Sequence, residues 1–390
     1  MVGSLSIIAD DQIPFADKVF SKFGNINLEN GRAINKKNIK DADVLLVRSV
    51  TKVDESLLKN TNIKFVGSAT SGIDHVDVDY LNKSNISFSY APGSNANSVA
   101  EYVLNSLITI NRNTNTPFSL YGKKVGIVGY GNIGSRVKYF MDVFNIECVL
   151  NDPPLFDQTK SQSFVDLEEV LQSDIITLHV PLTKSGKYPT INLVNDKFLK
   201  KLKSDVILIN TSRGEVIDEQ ALICFKKRNP ESKLILDVWR NEPNINIELL
   251  QQAFIGTPHI AGYSYDAKIR ATKILFDSLQ KFLKTNFNYP NFLNKDITSF
   301  VPNISEPDYS IESIISQYWN ILGDNISFSQ YASLADNERS TFYDSLRKNY
   351  PIRYEYGSGI IDTNKQNESS VFNNKARSNL RKLGFKFKNV

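Results

Sequence analysis

The chain has 390 residues, room for two or three domains, and its 41% apolar content with 23 Phe and 17 Tyr excludes a wholly disordered protein. Its uncharged apolar runs fall well short of the ~20 residues that span a bilayer, so no membrane partner is expected. The net charge of +4 is local: six bases between Lys375 and Lys388 have no acid among them, and the remainder balances 40 bases against 42 acids. A field of that kind gives no reason to expect a nucleic-acid partner.

The opening Met1-Val2-Gly3-Ser4 leads directly into Ile7-Ile8-Ala9, without a basic start, long apolar core and cleavage site. Cys148 and Cys224 sit in apolar contexts and make no metal-ligand spacing. Two buried thiols, no bound metal and a reduced, cytoplasmic chain are the expectation.

Up to Tyr90, short β-like runs alternate with helical ones. Leu5–Ala9, Val44–Val47, Lys64–Gly67 and Ile86–Tyr90 read as strands, with helices at Ala16–Phe23 and Glu55–Lys59. Such alternation specifies a small α/β domain with a parallel sheet. Asn97 or Ser98 is expected to cap the next helix. After Gly122 six further β-runs follow: Val125–Val128, Cys148–Asn151, Ile175–Leu178, Val206–Asn210, Leu234–Val238 and Phe254–Gly256. Room for crossover helices between them fits a doubly wound nucleotide-binding domain. Tyr265–Phe282 reads as one long amphipathic helix. Thr285–Pro307 has the composition of a linker, Ile311–Leu322 and Arg339–Asn349 have helical spacing, and Thr363–Ser378 is an irregular Asn/Ser/Lys stretch. These last residues form a third, smaller unit.

The run Lys124 to Gly134 is a strand entering GxGxxG and then a helix. Gly129 permits the tight turn, Gly131 lets the backbone approach a pyrophosphate, and Gly134 allows close helix–sheet packing. Asn132 and Ile133 open the helix, whose N-terminal N–H groups face the phosphates. Asp152 follows the next strand, eighteen positions after Gly134, where a carboxylate accepts from the adenosine ribose hydroxyls. Like charge repels a 2′-phosphate there, and Asn151, Pro153 and Pro154 supply no compensating arginine, so NAD is preferred over NADP. His179 ends another strand and reads equally well as a ribose contact or as a structural histidine.

Three chemically complementary residues each follow a strand of the second domain. Arg213 stands in Asn210-Thr211-Ser212-Arg213-Gly214, Glu242 in Asp237-Val238-Trp239-Arg240-Asn241-Glu242-Pro243, and His259 in Thr257-Pro258-His259-Ile260. Ligands of open α/β sheets bind beyond the carboxyl ends of the strands. A guanidinium binds a carboxylate through two parallel bonds. Imidazole moves protons near neutrality, and a neighbouring carboxylate fixes its tautomer.

These motifs resemble the D-isomer-specific 2-hydroxyacid dehydrogenase family, through Gly129–Gly134, Arg213-Gly214 with Val216 and Asp218, Asp237 through Glu242-Pro243, and Pro258-His259 with Ala261-Gly262. The resemblance implies an NAD-dependent oxidoreductase in which Arg213 holds substrate, His259 is the acid/base and Glu242 pairs with it. It implies that Asp152, Thr211, Ser212, Arg213, Asp237 and Gly262 line the cofactor. Val180 stands where a threonine is expected, which leaves only its backbone for that contact. Val47–Val53, Phe65–Asp77, Asp152-Pro153-Pro154, Tyr263 and Leu346–Tyr350 are similar to one branch of the family, whose substrate is a phosphorylated four-carbon hydroxy acid. By that similarity Ser49, Thr70 and Tyr263 contact substrate. Arg48, or Arg347, Lys348 or Arg353 from a partner subunit, offers charge for the phosphate. The implied fold has a flavodoxin-like substrate domain (1–98 and 266–284), a Rossmann-type NAD domain (99–265) and a small α+β dimerisation domain (285–390), in a homodimer. Alternatives are a relative acting on 3-phosphoglycerate and a non-enzymatic NAD-sensing corepressor.

Overall fold

The computed structural model describes residues 5–113, 120–290, 298–300, 311–362 and 374–388. The expected linker Thr285–Pro307 and the stretch Thr363–Ser378 therefore lie partly outside the described residues. By internal contacts the chain forms two compact units, 1–95 with 264–296, and 96–263 with 297–390.

The first unit is a five-stranded parallel sheet. Its strands are β1 (Leu5–Asp10), β2 (Gly24–Glu29), β3 (Val44–Val47), β4 (Phe65–Ser68) and β5 (Ser87–Tyr90), in the order β2-β1-β3-β4-β5. Every residue of β3 and β4 is buried, as a strand covered on both faces requires. Alternation then sorts them. Val44 and Leu46 join Ile7, Phe65 and the helix residues Leu275, Phe276 and Leu279, while Leu45 and Val47 join Ile8, Val66, Leu58 and Leu81 on the other face. The covering helix Tyr265–Leu283 starts at Ser264, whose Oγ accepts from the Ala267 N–H at 3.0 Å, and stops at Lys284 in the left-handed region. Edge strand β2 was not expected: no residue of Gly-Asn-Ile-Asn-Leu-Glu is fully buried, and the run has the composition of a turn.

In the second unit, β6 (Lys124–Val128), β7 (Glu147–Asn151), β8 (Ile175–Leu178), β9 (Ile207–Asn210), β10 (Lys233–Leu236) and β11 (Ile255–Gly256) form a parallel sheet in the order β11-β10-β9-β8-β6-β7. The order reverses at β6, so a crevice opens between the loops after β6 and β8. Ile207, Ile209 and Ile235 face one core with the helix Ala96–Asn113, whereas Leu208, Leu234 and Leu236 face the other. That helix begins at Ala96 rather than after a cap at Asn97 or Ser98; the Ser98 hydroxyl instead donates to the Ala261 carbonyl at 2.7 Å.

Residues after 297 pack onto this unit. Ile314, Ile315 and Trp319 enter the first core, and Phe328, Tyr331 and Tyr343 the second, the latter with Trp239 and Leu249. The single helix expected at Ile311–Leu322 is two, Ile311–Tyr318 and Ile321–Ser329. The break places the Trp319 carbonyl at 2.9 Å from the Asn105 amide, which donates to it. A helix spans Asp336–Lys348, and three short parallel strands, β12 (Thr298–Phe300), β13 (Gly359–Ile361) and β14 (Lys386–Phe387), complete an α+β segment.

The two thiols are not both buried. Cys148 is half-buried and its thiol is pushed up to about 12 by burial, whereas Cys224 is exposed on the helix Glu219–Arg228. Its neighbours Ile223 and Phe225 face inward, which turns residue 224 outward. Among the described residues no helix is long and apolar enough to cross a membrane, and no cluster of three His, Cys, Asp or Glu could hold a metal.

Candidate active site

The glycine loop after β6 divides its work among three positions. Gly129 has φ +92, and a Cβ there would meet the His179 carbonyl oxygen at 2.6 Å. A Cβ on Gly134 would lie 2.0 Å from the Gly129 carbonyl oxygen, so only glycine allows the helix Asn132–Val143 to start there. At Gly131, by contrast, a Cβ would meet nothing within 4 Å. Two glycines thus serve the fold itself, and the third keeps clear the space above a helix N-terminus. That helix has no side-chain cap, so the N–H groups of Asn132 and Ile133 keep their donors for a ligand. The cradle fits a dinucleotide pyrophosphate.

Asp152 receives the Tyr130 N–H on one oxygen (2.8 Å) and the Leu155 N–H on the other (2.9 Å). The second bond caps the helix Pro153–Thr159, so the turn-starting role and the ligand role coexist in one residue. A carboxylate offers about four acceptor positions, leaving capacity for ribose hydroxyls. No base forms an ion pair with it among the described residues.

His179 is buried between Thr177 (Nε2 to Oγ1, 2.9 Å) and Thr211 (Nδ1 to Oγ1, 3.2 Å). Burial lowers its pKa to about 3, so the ring is neutral. Val180 is half-buried beside Gly129, and Ser212 is buried with its hydroxyl on Asn210 Oδ1 at 2.7 Å.

Strands β9, β10 and β11 are neighbours, so the loops bearing Arg213, Glu242 and His259 leave the same edge of the sheet. Buried Asn210 shapes the first loop, accepting the Ser212 N–H at 3.0 Å and donating to the Arg213 carbonyl at 3.0 Å. Gly214 then lies against the second loop: a Cβ on it would stand 2.0 Å from the Trp239 carbonyl carbon. Arg240 secures the same junction by donating to the Ile217 carbonyl at 2.8 Å. Half-buried Arg213 is thereby held next to the Glu242 turn.

His259 Nδ1 lies 2.8 Å from Glu242 Oε2, and Glu242 Oε1 accepts the Trp239 N–H at 2.9 Å. A carboxylate partner on Nδ1 assigns the proton to that nitrogen and leaves the Nε2 lone pair as the basic site. Burial would raise the Glu242 pKa, but the charge and hydrogen bond of His259, followed by the charge of Arg347, outweigh it and hold the carboxyl below its ordinary value. Glu242 is therefore an anion ready to stabilise an imidazolium.

The His259 backbone is left-handed, with φ +57, a conformation that needs support from its surroundings. Asp237 supplies it. Its carbonyl accepts the His259 N–H at 2.7 Å, and its fully buried carboxylate accepts from Ile260 N (2.7 Å), Ala261 N (2.9 Å) and Thr257 Oγ1 (2.7 Å). Thr257 in turn accepts the Tyr102 hydroxyl at 2.7 Å. Burial pushes the Asp237 carboxyl up, with the His259 charge and these bonds opposing it.

Among the remaining sequence-predicted residues, Gly262 and Tyr263 stand three and four positions after His259 and are half-buried. Ser49 and Thr70 belong to the first unit, at the carboxyl ends of the adjacent strands β3 and β4. Ser49 is exposed; the Thr70 hydroxyl donates to the Gly72 carbonyl at 2.7 Å and pairs with Ser68 Oγ at the same distance. Arg48 pairs with Asp10 at 3.1 Å. Sequence reasoning missed Asn210, Tyr102 and Thr257, buried polar residues whose partners become visible only in the fold, and it brought Arg347 from a partner subunit when it lies beside Tyr263 of the same chain.

Comparison with known proteins agrees with this architecture. Residues 95–261 match the family described as D-isomer specific 2-hydroxyacid dehydrogenase, NAD binding domain. An erythronate-4-phosphate dehydrogenase of Wigglesworthia glossinidia brevipalpis is 42% identical, with 98% of this chain and 99% of that protein covered. One from Escherichia coli strain ATCC 8739 is 38% identical over 98% of both chains. Among solved structures, 3-phosphoglycerate dehydrogenase of Entamoeba histolytica with NAD+ bound is similar at TM-score 0.63 and 26% identity, covering 72% of this chain and 96% of its own. D-lactate dehydrogenase of Aquifex aeolicus, complexed with NAD and lactic acid, gives 0.61 and 25%, covering 72% and 95%.

Proposed function

This chain belongs to the D-isomer-specific 2-hydroxyacid dehydrogenase family, and within it to the erythronate-4-phosphate dehydrogenases; on that premise we propose that it oxidises 4-phospho-D-erythronate at C2. The products are 2-oxo-3-hydroxy-4-phosphobutanoate, NADH and a proton. NAD, when bound, supplies the hydride acceptor that no side chain provides. Gly131 with the N–H groups of Asn132 and Ile133 would hold its pyrophosphate on the loop that Gly129 and Gly134 shape, and Asp152 would hold its ribose; Val180, Thr211, Ser212, Asp237 and Gly262 would flank it.

The chain's own residues manage charge and protons. Arg213 holds the C1 carboxylate and polarises the C2 oxygen. His259 takes the C2 hydroxyl proton on Nε2, and Glu242 stabilises the imidazolium that results. Ser49, Thr70 and Tyr263 are assigned to substrate on the strength of the sequence resemblance. The observation that carries this reading is the 2.8 Å His259–Glu242 pair on the loops next to Arg213.

We extend the proposal to a step in pyridoxal 5′-phosphate synthesis, a cytoplasmic setting and a homodimer. Residues 285–390 are the proposed dimerisation segment, and the exposed Ile326 and Ile352 within it support that role. NADH formation from 4-phospho-D-erythronate, compared with 3-phosphoglycerate and with D-erythronate, tests the activity. Faster turnover of 3-phosphoglycerate would replace the substrate. Failure with every 2-hydroxy acid, together with NADH-dependent protein binding, would replace enzyme by sensor.

A further inference from the structure

The C-terminal segment brings a second arginine to the catalytic pair. Arg347 lies near the end of the helix Asp336–Lys348. Its guanidinium carbon sits 5.2 Å from the centre of the Tyr263 ring and 5.9 Å from that of Tyr343. Tyr263 is four residues beyond His259, and the Arg347 charge reaches Glu242.

What Arg347 lacks is an anion in hydrogen-bond contact. Its Nε is buried without a hydrogen-bond acceptor, and no carboxylate forms an ion pair with it among the described residues. Leaving a guanidinium half-buried and unpaired is costly. Two aromatic faces offset part of that cost and fix the direction of the group, but they take none of its N–H donors. The arrangement is that of a preformed anion site.

A second observation concerns the length of the chain. The two solved dehydrogenases span 95% and 96% of their own length yet cover only 72% of this chain. The erythronate-4-phosphate dehydrogenases align over 98% of it. The extra length is thus shared with this branch of the family and unmatched by a lactate and a 3-phosphoglycerate dehydrogenase alike, so it bears on what is particular to this branch's substrate.

We propose that Arg347 binds the terminal phosphate of the substrate and so selects phosphorylated over unphosphorylated four-carbon acids. This rests on the functional reading above. Arg213 then takes the carboxylate at one end of the substrate, Arg347 the phosphate at the other, and C2 is held between them at His259. A guanidinium suits the task because it offers two parallel N–H donors to two phosphate oxygens and stays charged at any working pH.

The test compares wild type with Arg347→Lys, Arg347→Gln and Arg347→Ala, using 4-phospho-D-erythronate, D-erythronate and inorganic phosphate. Arg347→Ala should lose roughly 10²- to 10³-fold in kcat/KM on the phosphorylated acid, a loss at least about tenfold larger than on D-erythronate. Arg347→Lys should recover part of the loss, and Arg347→Gln substitutes for the alanine variant should the latter not fold. Inorganic phosphate binding to the NAD complex, followed by titration without turnover, should weaken at least about tenfold in the neutral variants. Equal losses on both acids would reduce Arg347 to a support for Tyr263 and Glu242, and unchanged phosphate binding would remove the anion site; either result overturns the proposal. A wild-type enzyme inert toward 4-phospho-D-erythronate refutes the functional reading instead, and the phosphate titration then decides Arg347 by itself.

Discussion

Replacing Gly131 by Ala separates binding of the cofactor from stability of the fold. Gly131 has φ −77, which any residue adopts, and a Cβ built on it meets nothing within 4 Å. Alanine is a poorer helix cap than glycine, but it also lowers the entropy of the unfolded chain by about 0.4–1 kcal/mol. These effects oppose each other, so stability should change by less than about 1 kcal/mol. Binding is a different matter. The methyl enters the space through which a pyrophosphate must pass, and overpacking of that kind costs about 1–3 kcal/mol. The NAD dissociation constant should therefore rise roughly 5- to 150-fold. Calorimetric titration with NAD gives the affinity, and thermal denaturation of the unliganded enzyme gives the stability. Gly134→Ala is the control, because its Cβ would stand 2.0 Å from backbone and must disturb the fold itself. Undiminished NAD affinity in Gly131→Ala would refute the assignment of this cradle.

Two further predictions concern Asp152 and His179. Asp152→Asn keeps the helix cap on its one acceptor oxygen but loses the charge and the Tyr130 N–H bond, so it should narrow the preference for NAD over NADP at a stability cost of about 1–3 kcal/mol; an unchanged ratio of the two dissociation constants would defeat the ribose assignment. His179 is held neutral by burial with a pKa of about 3, whereas the unfolded chain protonates it below about 6.5. The folded state thus binds fewer protons in that window, and the stability due to this group is complete above pH 6.5 and declines as pH falls toward 3. At about 1.4 kcal/mol per pH unit, the loss over the whole window is bounded at about 5 kcal/mol. Urea unfolding across the window should show a shallower pH slope in His179→Gln than in wild type, and equal slopes would contradict it.

How much of this was legible in the sequence followed from burial. Strands β3 and β4 announce themselves because both faces are covered and every residue is apolar or small. Edge strand β2 does not, since one face is wet and two asparagines interrupt its apolar positions. The loops of Arg213, Glu242 and His259 were legible because chemistry placed after consecutive strands of a parallel sheet must gather at one edge. Their supports were not. Tyr102 is 155 residues from Thr257, and Arg347 lies 105 positions after Glu242, so no local pattern could join them. Cys224 failed for a simpler reason: one turn of an amphipathic helix carries both inward and outward residues, and apolar neighbours do not say which face a thiol takes.

The most direct measurement is the rate of NADH formation after rapid mixing of the enzyme–NAD complex with 4-phospho-D-erythronate, in wild type and in His259→Asn. Asparagine tolerates the left-handed backbone at position 259, so the substitution removes the base without removing the turn. The account predicts a transfer step slower by about 10²- to 10⁴-fold with NAD affinity unchanged. A variant that forms NADH as fast as wild type would contradict it.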